Sequence, residues 1–236
     1  MTARLPLFPL NSVLFPGLVL PLSVFEERYR ALVRDLIALP EDAPRVFGVV
    51  AIRDGYEVAP KGDATGASAG FGENPARALF TVGCIADAAT IGEHESGGYE
   101  IVATGTTRFR VLSIDATGPY LAGEVEELPE HSGEGAGALA AGVARAFRTY
   151  QKRLAGARER TLAAAQELPD EPSVLSYLVA AATIVDTPAK QRLLEAPDTA
   201  TRLADELRLL RREAAVISKL RTIPAVDLTQ QAPSLN

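Results

Sequence analysis

The chain of 236 residues carries 24 basic and 30 acidic side chains, a net charge of −6, with 47% hydrophobic and 23% charged residues. This excludes a disordered chain, and a fold of this length buries about 70% of its surface, enough for one sizeable core or two modest ones. The acidic balance argues against a whole-molecule grip on nucleic acid or anionic lipid and leaves room for a local basic patch. Cys84 is the single cysteine and His94 and His131 the only histidines, so an internal disulfide and the usual four-ligand zinc sites are excluded too.

Leu5–Phe25 is uncharged, but Pro6, Pro9, Pro16 and Pro21 interrupt it. Each proline costs about 3 kcal/mol inside a helix, so no spanning helix is expected. No cleavage signal follows, and a cytoplasmic protein is expected. Ser23-Val-Phe-Glu26 reads as a capping box. Phe25, Tyr29, Leu32, Val33 and Leu36 then share one helical face, and Pro40 closes the helix. Val46–Ile52, Leu79–Ala88, Tyr99–Gly105, Thr107–Asp115 and Tyr120–Leu128 read as strands separated by short turn-rich breaks, the pattern of a barrel or sandwich.

Residues 129–138 form a charged, glycine-rich linker, after which the period becomes helical. Leu139, Val143, Phe147, Tyr150 and Leu154 make one stripe; Val174, Leu175, Leu178, Val179 and Ala182 make a second, after Pro172. Thr187 reads as an N-cap before Pro188, and Asp198 as the cap of the longest helix. There Leu203, Leu207, Leu210, Ala214 and Ile217 form a bundle seam, with Arg202–Glu206 and Asp205–Arg208 as surface pairs. The expected organisation is a β unit at 1–128, a linker at 129–138, an α-helical bundle at 139–221 and a tail at 222–236.

Chemical signals are sparse. No Gly-Lys dipeptide occurs, so no phosphate-binding loop is expected. Gly66-Ala-Ser68-Ala-Gly70 matches a nucleophile elbow, but neither a strand before it nor a helix after it is expected. The hydrolase reading therefore rests on Ser68 alone. His94 and His131 read as solvated loop histidines, and Cys84 as a core thiol. Glu26 and Arg108 sit beside apolar positions and read as a structural ion pair tying the helix to the strands, with a polar ligand site as the alternative.

LPLFPLNSVLFPGLVLPLSVFEERYRALV (Leu5–Val33), FGVV (Phe47–Val50), VGCIA (Val82–Ala86), Gly105-Thr-Thr-Arg-Phe-Arg110, SYLVA (Ser176–Ala180) and RLADELRLLRREAAVI (Arg202–Ile217) together resemble the Lon substrate-binding (N-terminal) domain family. The resemblance implies an α+β fold, a PUA-like β-barrel with one helix followed by a C-terminal α-helical bundle. It also implies a free-standing member, because the chain ends at Asn236, where the ATPase and Ser-Lys peptidase modules of Lon proteases would begin.

The implied function is non-catalytic: binding of unfolded or extended polypeptide, as an adaptor or holdase, with an ATP-dependent protease as a further partner. No catalytic residue, cofactor or metal is expected. Phe15, Leu18, Tyr29, Tyr120 and Phe147 are the candidate partner contacts, with core packing as the competing reading for each. Binding to RNA is the alternative, because PUA-like barrels can bind RNA; the charge balance argues against it.

Overall fold

A computed structural model describes residues 2–59, 66–95, 97–157 and 167–220. The expected tail at 222–236 lies outside them. Six strands, β1 (Thr2–Leu10), β2 (Val19–Val24), β3 (Val46–Ala51), β4 (Val82–Glu93), β5 (Tyr99–Asp115) and β6 (Ala122–Leu128), form one mixed sheet in the order β2-β5-β4-β3-β1-β6, with β5 also pairing with β6. The PUA-like barrel expectation is thus replaced by the coarser description of a mixed six-stranded sheet. Helix α1 (Glu27–Ile37) follows β2, and the single turn α2 (Pro75–Ala78) precedes β4.

The prolines that exclude a spanning helix lie largely in strands. β1 changes partner along its length. Thr2–Pro6 pairs antiparallel with β6, and Leu7–Leu10 pairs parallel with β3. Pro6 sits at the changeover, and the Leu7 amide donates to the Leu121 carbonyl at 2.8 Å.

The break expected at Gly105-Thr106 is no break, because β5 runs through it. Gly105 answers to crowding rather than to a turn. A Cβ there would lie 2.5 Å from the Phe15 carbonyl oxygen and 3.1 Å from Cys84 Sγ.

The capping box also differs. Ser23 belongs to β2, and its hydroxyl donates to Glu100 at 3.0 Å. Glu26 is the N-cap residue and makes no side-chain cap. Phe25, expected on the apolar face, is 62% exposed, while Tyr29, Leu32, Val33 and Leu36 are buried against the sheet with Phe8 and Phe47.

Four helices complete the chain: α3 (Ala136–Ala157), α4 (Pro172–Ala182), α5 (Thr187–Leu194) and α6 (Thr199–Leu220). The seam of α6 packs on Val143, Phe147 and Tyr150 of α3, as the two stripes require. Asp186, not Thr187, caps α5, accepting from the Ala189 amide at 2.8 Å. Asp198 caps α6, accepting from the Thr201 amide at 2.7 Å.

The segment expected to be a plain linker is tied down. The carbonyls of His131 and Ser132 accept from the amides of Thr199 and Ala200 at 2.8 and 2.9 Å, which satisfies donors at the N-terminus of α6. A small apolar cluster, Phe15, Val82, Tyr177, Ala180, Leu193 and Leu194, joins sheet to helices. No described helix is long and apolar enough to cross a membrane.

Candidate functional site

A groove of roughly 320 Å³ runs along this junction. Thr106 and Leu128 line it from the sheet, Pro16 and Gly17 from the turn before β2, and Val174 and Tyr177 from α4. Arg108 and Glu130 also line it, within a charged network that fixes the two halves. Arg108 is 3% exposed. Its Nη1 donates to the carbonyls of Leu194 and Ala196 at 2.8 and 2.6 Å, and its Nη2 lies 3.0 Å from Glu130 Oε2.

Glu130 accepts from Thr199 Oγ1 at 2.6 Å, and from the Tyr177 hydroxyl and Arg202 Nη2. Arg202, with no exposed surface, also donates from Nε to Ser176 Oγ at 2.8 Å and lies 3.9 Å over the Tyr177 ring. Burial pushes the Glu130 carboxyl up. The bonds from Thr199 and Tyr177 and the charges of Arg202 and Arg108 outweigh that and hold it below the ordinary range.

The expected Glu26–Arg108 pair therefore does not form. Glu26 lies 3.2 Å from Arg28, which is buried and also donates to the carbonyls of Ala69 and Glu57. Arg28 ties α1 to the loop before α2, and Arg108 ties β5 to the helices. The expected surface pair Arg202–Glu206 is buried. Arg202 turns to Glu130, and both Glu206 carboxyl oxygens lack a hydrogen-bond partner. Burial pushes the Glu206 carboxyl well up. The other expected pair, Asp205–Arg208, is present.

Beyond the groove the outer face of β5 continues through Thr106, Thr104 and Val102, since alternate residues share one face. Thr104 is opposite Val19 and Val102 opposite Pro21 in the β2–β5 register. Val19 is 63%, Val102 43% and Val174 50% exposed. The result is an apolar track from α4, past Pro16, onto the outer face of β2 and β5.

Three of the five candidate contacts are core. Phe15 packs on Tyr177, Tyr29 stacks on Phe8, and Phe147 stacks on Tyr150. Leu18 and Tyr120 are half-buried, and the Tyr120 hydroxyl donates to Asp35 at 2.6 Å. Val19, Val102 and Val174 were not among the candidates. Their signal is weak, because β2 is apolar on both faces and Val174 sits in an apolar helical stripe.

Ser68 lies in a turn in which its carbonyl accepts from Phe71, and among the described residues neither a strand nor a helix adjoins it. His94 occupies the β4–β5 turn. Burial pushes the Cys84 thiol up to about 12, so it is no nucleophile at neutral pH. No metal-holding group of His, Cys, Asp or Glu occurs among the described residues.

The family model of the ATP-dependent protease La (LON) substrate-binding domain matches residues 4–212. The chain belongs to this family. It is 32% identical over 219 residues to Lon protease 2 of Myxococcus xanthus and 30% identical over 220 residues to a Lon protease of Anaeromyxobacter dehalogenans, covering 90% and 91% of this chain. Each match spans 24% of the relative's length. The fold is similar to the Lon N-terminal domain protein of Xanthomonas campestris (TM-score 0.57, 23% identity), over 87% of this chain and 98% of that one. It is equally similar to the N-terminal domain of a Mycobacterium avium complex Lon protease (TM-score 0.57, 20% identity), over 90% and 98%. The Lon substrate-binding resemblance read from the sequence thus holds over nearly the whole chain.

Proposed function

We propose that this protein recognises extended or unfolded polypeptide without cleaving it, as a cytoplasmic adaptor or holdase that can hand its client to an ATP-dependent protease. The observation that carries the reading is the apolar track formed by Val174, Pro16, Val19 and Val102. An extended segment needs apolar pockets for alternate side chains and open backbone groups beside them. The family's substrate-binding description supports the same reading.

The edge of β2 offers those backbone groups. Gly105 donates to the Leu18 carbonyl. The register then turns the backbone of Leu20, Leu22 and Val24 toward β5 and that of Val19, Pro21 and Ser23 outward. Pro21 supplies no donor, which discourages indiscriminate strand pairing while Val19 and Ser23 remain available. RNA binding gains no support from the family comparison.

The test is titration of a permanently unfolded, labelled protein, with its native form as control. The unfolded form is expected to bind in the micromolar range, about −8 kcal/mol, because ordering the client offsets much of the contact energy. Equal binding of the two forms contradicts the reading.

A further inference from the structure

Charge is divided unevenly along the chain. Residues 1–135 carry 10 basic and 19 acidic side chains, a net −9, whereas residues 136–220 carry 13 and 10, a net +3. Among the described residues, arginines of α3, α5 and α6 gather around the exposed side of α6, which separates two grooves. Against α5 lies a groove of roughly 470 Å³ lined by Arg192, Arg208 and Arg212, with Leu193 and Leu209 among its apolar walls. Against α3 lies one of roughly 410 Å³ lined by Arg145, Arg153 and Arg211, with Leu207 and Leu210.

Arg208 pairs with Asp205, and Arg212 lies 3.1 Å from Glu213, with 75% and 64% of the two arginine side chains exposed. Arg153 donates to the Ala214 carbonyl at 2.7 Å. Arg145, Arg192 and Arg211 have no carboxylate partner among the described residues.

We propose that the grooves flanking α6 form a docking surface for an acidic polypeptide segment. Its carboxylates would meet Arg192 and Arg211 directly and compete with Asp205 and Glu213 for Arg208 and Arg212. Its apolar side chains would rest on Leu209, which is half-buried in the groove wall. Guanidinium groups suit carboxylates, and Arg208 and Arg212 already pair with Asp205 and Glu213 on α6. Apolar walls between the charges favour a polypeptide over a nucleic acid, as do the carboxylates lining the same face. A long polyanion would also meet the net −9 of the rest of the chain. This surface is distinct from the groove beside Val174, and the inference does not rest on the function proposed for that groove.

The test is fluorescence anisotropy with the full chain and a labelled glutamate-rich peptide at low salt. Lysine-rich peptide and single-stranded oligonucleotide of equal length serve as controls. Binding of the glutamate-rich peptide alone is expected, weakening as salt rises because the contacts are exposed. The R192Q/R208Q/R212Q variant should bind about tenfold more weakly, from three exposed charge contacts. R145Q/R211Q reports on the second groove and should also weaken binding. Both variants change exposed or groove-lining arginines and should keep the wild-type circular dichroism. Val174→Asp should leave the affinity for this peptide unchanged, which separates the surface from the apolar track. No binding at low salt, wild-type affinity in both arginine variants, or tighter binding of the oligonucleotide would each overturn the proposal.

Discussion

Glu130 Oε2 lies 3.0 Å from Arg108 Nη2, so an acid from the segment between strands and helices neutralises the buried base of β5. The same carboxylate pairs with fully buried Arg202. One side chain therefore compensates two buried guanidiniums from different halves of the molecule.

Glu130→Gln should destabilise the fold by about 3–5 kcal/mol, because it leaves buried positive charge uncompensated. Urea unfolding of wild type and variant measures it, and an unchanged midpoint contradicts it. The pH dependence has a definite sign. Glu130 is held below its ordinary range when folded, so its contribution is present above the unfolded value of about 4.3 and is lost as pH falls through the folded value.

Glu206 should show the opposite sign. It is 1% exposed, its oxygens have no hydrogen-bond partner, and burial pushes its carboxyl well up. Its presence costs stability increasingly as pH rises above the unfolded carboxylate value. Glu206→Gln should therefore stabilise the protein at neutral pH, by on the order of 1 kcal/mol, and the gain should shrink toward pH 4. Melting temperatures across a pH series would show this, and a gain independent of pH speaks against a protonated Glu206.

Phe109, with no exposed surface, packs against Gly48 and Gly83 of β3 and β4. A Cβ would lie 2.7 Å from its ring at Gly48, and at Gly83 2.6 Å from the ring and 2.3 Å from the Val49 carbonyl oxygen. Each glycine-to-alanine change should cost about 1–3 kcal/mol through overpacking. Gly83→Ala should be the worse, because backbone yields less than a ring edge. Chemical denaturation of the two variants ranks them, and a neutral Gly83→Ala contradicts the packing.

Cys84 should resist a thiol reagent in the folded protein and react fully in denaturant, since it is inaccessible and its thiol is pushed up to about 12. Rapid reaction under native conditions would contradict its burial.

The helical half was legible because the spacing of Val143, Phe147 and Tyr150 against Leu203 and Leu210 fixes which faces meet. The strands were legible as segments but not as partners. Gly105 looks like a turn until Phe15 and Cys84 are seen pressed against it. Ser23 and Glu26 have capping-box spacing, yet Ser23 is held in the β2–β5 ladder. The choice of Glu130 rather than Glu26 by Arg108 depends on contacts far apart in sequence, which local pattern does not encode. The apolar track was hidden for a related reason. In Val19-Leu20-Pro21-Leu22 both alternating faces are apolar, so periodicity alone does not say which face is outward.

The measurement closest to the central claim is the affinity of a permanently unfolded, labelled protein for wild type, Val19→Asp and Val174→Asp. Both substitutions place charge at exposed positions on the track, so the fold should be retained. The expected result is micromolar binding by wild type, insensitive to ATP and without cleavage of the client, weakened about tenfold by either variant. Unchanged affinity in both variants would contradict the assignment of the track, and cleavage of the client would contradict a purely binding role.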